Sequence, residues 1–113
     1  MRQDVLVYIA GPVNATPGHT VKENVQDAID VHLEGLRRGI PSFCPHLVTP
    51  FVLPDYEAGR ITYEDLLAYD FAVLSRCTHI LLMPRWTESP GAVREEAFAK
   101  QHEIRVVRSW DEV

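Results

Sequence analysis

Apolar positions recur along this chain with two different periods, and the alternation between them predicts the fold class. Val5-Leu6-Val7-Tyr8-Ile9 is an unbroken apolar run with β-branched residues, the pattern of a strand buried on both faces. It stops at Ala10-Gly11-Pro12, and a loop of turn formers follows: Asn14, Thr16, Pro17 and Gly18. Thr20 with Glu23 three residues on forms a capping box, so a helix should begin there. Val21, Val25, Ala28, Ile29, Leu33 and Leu36 recur at helical spacing as its expected inner face, and Gly39 supplies a left-handed stop. Residues 40–44 predict a second, short strand. Residues 45–59 read as a long connection holding Pro45, Pro50 and Pro54, and loops of that length in compact domains are usually functional or mobile.

Thr62 caps the next helix, with Asp65 in its first turn and an inward stripe of Leu66, Tyr69, Val73, Leu74 and Cys77. His79-Ile80-Leu81-Leu82-Met83 predicts a third buried strand, followed by a loop over residues 84–88. Ser89-Pro90 has the form of an N-cap followed by proline at the first helical position, and the helix should run to Lys100 or so. Residues 104–107 predict a last short strand, and the final residues a tail. Strand and helix thus alternate along a single domain spanning residues 1–113, without repeats, low-complexity tracts or linkers. The expected architecture is an α/β three-layer sandwich. Its sheet should be parallel, four- to five-stranded and Rossmann- or flavodoxin-like, with right-handed crossovers.

Composition narrows the partners. Apolar residues make up 46% and charged residues 24% of 113 residues, ordinary globular usage for one domain with one small core. A formal charge of −5 argues against a nucleic-acid polymer, which needs clustered Lys and Arg, but leaves room for a single nucleotide. Cys44 and Cys77 lie in apolar segments without metal-type spacing and read as reduced core residues. No apolar run approaches the ~18 residues of a membrane span, and no signal pattern opens the chain, so a cytoplasmic protein without a membrane partner is expected. Nothing in the sequence calls for a metal or another cofactor.

In open α/β sheets ligands bind beyond the carboxyl ends of the strands. Three long loops should meet there, at residues 11–19, 45–59 and 84–91. Gly11 is either a plain tight turn or a point of close ligand approach. It belongs to no P-loop or dinucleotide fingerprint, since neither a Gly-Lys-Ser/Thr nor a G-x-G-x-x-G follows. Asp70 lies four residues after Leu66 and four before Leu74, on the face of the apolar stripe. A carboxylate there is costly to desolvate unless it is hydrogen-bonded to a neighbouring loop or functional. Ser89 starts a helix whose free N–H groups suit an anion, or is only a cap. Either Glu95 or Glu96 faces the sheet; periodicity does not choose. His46 reads as a base or phosphate contact or an ordinary loop histidine. Arg85 and Trp86 read as a ligand lid, or Trp86 as a packing residue.

Tyr8-Ile9-Ala10-Gly11-Pro12, then Asp70 with an apolar segment ending at Cys77, a buried strand, and Ser89-Pro90-Gly91-x-x-x-Glu95 follow in that order. Over nearly its whole length the chain thereby resembles the nucleoside 2-deoxyribosyltransferase-like superfamily, which includes deoxyribosyltransferases and nucleoside monophosphate N-glycosidases. The resemblance implies that Glu95 is the nucleophile, Asp70 the helix aspartate of the site and Tyr8 the aromatic that orients the nucleophile. It places Ser89 at the sugar or 5′-phosphate. Gly11, Pro12, Asn14, His46, Trp86 and Gly91 complete the expected substrate-binding set. Asn14, Thr16 and His19 match the family's variable first loop by position only. Thr78 stands where family members often carry Asp before the third strand.

The implied chemistry is retaining cleavage or transfer at an N-glycosidic bond. An ionised Glu95 attacks C1′ through an oxocarbenium-like transition state, and a protonated Asp70 helps the base depart. Its apolar surroundings should raise the pKa of Asp70 in the direction that role needs. The partner is then a small nucleoside or nucleotide, and the resemblance implies a homodimer or higher homo-oligomer. The rival expectation is a catalytically inactive nucleotide-binding or sensor module with the same fold.

Overall fold

Four parallel strands form the middle layer: β1 (Val7–Ala10), β2 (Ser42–Phe43), β3 (His79–Leu82) and β4 (Arg105–Val107), in spatial order β2-β1-β3-β4. The fold is that of a computed structural model describing residues 1–113. Val7 pairs with Ser42 on one side and His79 on the other, and Ile80 pairs with Val106. Alternate side chains along each strand serve opposite faces, as a pleated strand requires. Val7, Ile9, Leu81 and Met83 pack beneath α1 (Val21–Arg37) with Ala28 and Trp110. Tyr8, Ala10, Ile80 and Leu82 pack against α3 (Tyr63–Leu74) and α4 (Pro90–Gln101) through Leu74, Ala92 and Ala99. The three-layer parallel α/β architecture is as the alternation predicted, with four strands. No helix is long and apolar enough to cross a membrane.

Three predicted caps form with their expected bonds. Thr20–Glu23 and Thr62–Asp65 are reciprocal capping boxes, and Ser89 Oγ accepts the Ala92 N–H at 3.1 Å. Elsewhere the structure departs from the pattern. Residues 45–59 are not one loop: a 3-10 turn at Pro45–Leu47 leads into α2 (Thr49–Glu57). Pro50 sits in the first turn of α2, where its missing N–H costs nothing, while Pro54 gives up one backbone bond inside the helix. The strand predicted over residues 40–44 contracts to Ser42–Phe43. In α3 the buried positions are Leu67 and Leu74, whereas Tyr69 is exposed.

The phase of α1 is also shifted. Its buried positions are Asn24, Ala28 and Gly35, while Leu33 and Leu36 face outward. The cause lies far away in sequence. Trp110, in the 3-10 turn Trp110–Glu112, donates its indole N–H to the Val31 carbonyl at 3.0 Å and packs its six-membered ring against Gly35. A Cβ at Gly35 would fall 2.6 Å from the indole ring. The expected tail is therefore part of the core. Gly35→Ala should destabilise the chain by about 1–3 kcal/mol through overpacking. In a Trp110→Ala background the same change should stabilise it by roughly 1 kcal/mol, because alanine's helix propensity then acts alone. Urea titration of the four chains measures both signs; destabilisation by Gly35→Ala in both backgrounds would remove the indole contact as the cause.

Candidate active site

The site is built where β1 and β3 end, between the strands at which the sheet order reverses. Tyr8 is the second residue of β1, fully buried, and its ring stands on the α3/α4 side of the sheet. The N-cap at Ser89 fixes the phase of α4 so that Glu95, six residues on, turns inward and is 6% exposed. Glu96, half-buried, pairs instead with Lys100 at 3.3 Å. The choice that periodicity left open thus falls to Glu95. The Tyr8 hydroxyl donates to Glu95 Oε2 in a buried hydrogen bond. Asp70, half-buried on α3, shares with Glu95 the lining of a cavity of about 430 Å³. That volume lies within the ~300–1,000 Å³ common for small-molecule sites.

Desolvation dominates the electrostatics. It pushes Glu95 up to about 8, with the nearby Asp70 charge adding to the rise and the Tyr8 hydroxyl opposing it. Asp70 is pushed up to about 6 by burial, again with Tyr8 opposing. Tyr8 itself is raised well above the ordinary phenol value by burial and by the two carboxylates. The expected rise of Asp70 is present. The same burial raises Glu95, so desolvation opposes the ionised Glu95 that attack would require. Between about pH 6 and about pH 8 the pair together carries one proton and one negative charge.

The other predicted residues divide. Gly11, Pro12, Asn14, Ser89 and Gly91 all line the cavity. Gly11 also has a packing reason to be glycine, since a Cβ there would meet Met83 Sδ at 2.8 Å. His46 does not reach the cavity. It is 1% exposed, and its Nε2–H donates to the Pro12 carbonyl at 2.9 Å, so it braces the turn from behind. Burial pushes its pKa down, which keeps it neutral. Trp86 lies outside as well, lining a separate shallow hollow with the Arg108 guanidinium 5.6 Å from its ring centre. Thr78 stands at the opposite, N-terminal end of the strands. It accepts the Leu6 N–H and donates to the Leu6 carbonyl, both at 3.0 Å, and takes no part in the cavity.

The pattern missed several wall residues. Leu53 and Tyr56 come from α2, which the prolines concealed. Tyr63 and Arg94 line the side near the start of α4; Arg94 is bidentate to Glu64 at 3.1 and 3.4 Å and stacks over Tyr63. Arg94 lay inside the quoted Ser89-to-Glu95 motif and was legible by position. No three His, Cys, Asp or Glu side chains gather in a metal-like cluster.

Residues 5–108 match the family described as Domain of unknown function (DUF4406). The chain belongs to the DUF4406 family. No curated protein and no solved structure matches it. The DUF4406 match runs from the start of the first strand to just past β4 and contains Tyr8, Asp70 and Glu95, so the whole candidate site lies within the family's extent.

Proposed function

We propose that this DUF4406 domain cleaves or transfers the N-glycosidic bond of a nucleoside or nucleoside 5′-monophosphate through a glycosyl–Glu95 intermediate. The observation that carries the reading is the buried Tyr8–Glu95 hydrogen bond set into the same cavity wall as Asp70. A tyrosine held behind an inward carboxylate leaves one carboxylate oxygen to meet a substrate while fixing the other. The order of Tyr8, Asp70 and Ser89-x₅-Glu95 on strand, helix and helix start supports membership of the nucleoside 2-deoxyribosyltransferase-like superfamily as part of the same proposal.

The proton count suits the chemistry. Attack at C1′ needs one carboxylate, and departure of the base needs one acid. The pair supplies one of each near neutrality, provided the proton passes from Glu95 to Asp70 as the C1′–N bond begins to break. Sugar carbon developing positive charge above Glu95 favours that transfer, because it stabilises the glutamate anion. In the first step the Glu95 oxygen bonds to C1′, the C1′–N bond breaks with its electron pair going to the base, and Asp70 gives the base its proton. Water then resolves the ester in a hydrolase, or a second base does so in a transferase. Ser89, Gly91 and Arg94 border the end of the cavity at the start of α4, a place suited to the sugar's 5′ end.

The burial that opposes ionisation of Glu95 also favours a second reading: a nucleotide-binding module without turnover. Incubating the pure protein with each nucleoside and nucleoside monophosphate, then assaying free base by chromatography, separates them. Base release without acceptor supports the hydrolase, and exchange only with a second base the transferase. Thermal stabilisation by a nucleotide without base release at any pH supports the binding module. A homodimer or higher oligomer belongs to the proposal, and light scattering tests it.

A further inference from the structure

Residues 11–16 of the loop between β1 and α1 form a continuous stretch of the cavity wall. Its one backbone pairing is the Thr16–His19 bridge, two bonds of 3.0 and 2.9 Å that close the turn beyond it, so the shape of residues 11–15 depends on partners elsewhere. His46 holds its first half through the Pro12 carbonyl. Its second half is held by Asn24, a 1% exposed side chain on α1, whose Nδ2 donates to the Asn14 carbonyl at 2.8 Å. The remaining polar atom of Asn24, Oδ1, accepts from Arg85 Nη2 at 3.0 Å. Arg85 Nη1 donates to Thr16 Oγ1 at 2.9 Å. Ion pairs at 3.6 Å to Asp27 and 3.5 Å to Glu88 complete the surroundings of the guanidinium. One side chain from the β3–α4 connection therefore ties together the loop, α1 and the approach to α4.

The backbone of Arg85 has φ +65° and ψ +18°, left-handed space that an L-residue enters at a cost and glycine enters freely. A strained non-glycine residue whose two terminal nitrogens bridge a cavity-wall residue, Thr16, and the α1 side chain that holds the wall, Asn24, points to a use for that fork. We propose that Arg85 is a positioning residue, which locks the β1–α1 loop in its cavity-lining shape and thereby sets ligand affinity and selectivity rather than the rate of bond cleavage. The proposal rests on the cavity being the ligand site. The chemical groups Tyr8, Asp70 and Glu95 stand on β1, α3 and α4 and make no contact with the guanidinium, so its loss should leave their geometry in place. Lysine cannot replace it, since one ammonium does not reproduce two parallel N–H bonds to Thr16 Oγ1 and Asn24 Oδ1.

Arg85→Gly tests this sharply, because it relieves the backbone while deleting the fork. The full-length chain should melt within a few degrees of the parent. Amide exchange across residues 13–19 should rise about tenfold or more, with the strands unchanged. KM for whichever nucleoside or nucleotide is turned over should rise roughly tenfold with kcat held within about twofold. Arg85→Lys should behave like Arg85→Gly despite keeping the charge, and Thr16→Val, which removes an acceptor instead, should loosen the same segment. Unchanged exchange in residues 13–19, or a fall in kcat at constant KM, overturns the proposal. Should the parent release no base, the catalytic reading fails by itself, and the exchange comparison still decides whether Arg85 locks the wall.

Discussion

Glu95→Gln is expected to lower kcat by about three orders of magnitude or more, while the chain folds normally and melts at higher temperature at pH 8 than the parent. The two effects have one source. Glu95 is 6% exposed, and burial is the main reason its carboxyl is pushed up to about 8. The folded chain therefore strains against ionisation of the group that the chemistry needs ionised. Glutamine keeps the shape and keeps a carbonyl to accept from the Tyr8 hydroxyl, but it carries no charge to desolvate and has no nucleophilic oxygen. Glu96→Ala should be near neutral in kcat, because Glu96 pairs with Lys100 and does not line the cavity. The measurements are base release at saturating substrate and thermal melts at pH 8. Retained turnover in Glu95→Gln removes the nucleophile from the proposal. A lower melting temperature at pH 8 would mean that the site stabilises the carboxylate, against the burial argument.

What the sequence made legible follows from the range of the forces involved. Caps are local: Thr20 with Glu23, Thr62 with Asp65, and Ser89 before Pro90 each satisfy orphan backbone groups within four residues, and each forms as read. Buried parallel strands declare themselves as apolar runs, so β1 and β3 were plain. Asp70 was placed by its spacing from Leu66 and Leu74, a relation internal to one helix. The failures are long-range. Nothing near Gly35 announces that Trp110 will lie on it, so the inner face of α1 was assigned to the larger residues beside the true one. Composition does not express where the prolines of α2 fall: Pro50 sits in the first turn, where proline is tolerated, while Pro54 is accommodated inside the helix at the loss of one backbone bond. For His46 and Trp86 the sequence leaves a ligand contact and a plain packing role both open, and the structure turns both side chains away from the cavity. A side chain's direction is settled by partners such as the Pro12 carbonyl and Arg108 that the local pattern does not contain.

Stability should fall as pH rises from the ordinary imidazole value toward about 8, against the common trend of acid-labile proteins, and the change should be on the order of a few kcal/mol. Unfolded, Glu95 and Asp70 ionise in the ordinary carboxylate range. Folded, they keep their protons up to about 8 and about 6. At these two carboxyls the folded chain binds more protons than the unfolded one, so raising the pH draws the equilibrium toward unfolding. Buried His46 and His79 oppose this below the ordinary imidazole value, because folding strips their protons there, so the net loss lies above it and is complete once pH passes about 8. Urea midpoints measured from pH 5 to pH 9 should show the slope, and Glu95→Gln should remove most of it; a flat profile in the parent contradicts the buried-carboxyl picture. The same two groups should shape catalysis. Below about pH 6 both are protonated and no nucleophile exists; above about pH 8 both are ionised and no acid remains. The profile of kcat/KM should therefore be a bell between those values. Asp70→Asn should cut kcat by about 100- to 1,000-fold on bases that need protonation to leave. It should also shift the ionisation of Glu95 downward, because the Asp70 charge is one of the causes holding it up. A downward shift that accompanies lost turnover would tie both carboxyls to one cavity and one shared proton, whereas lost turnover with an unmoved Glu95 would leave them as independent neighbours.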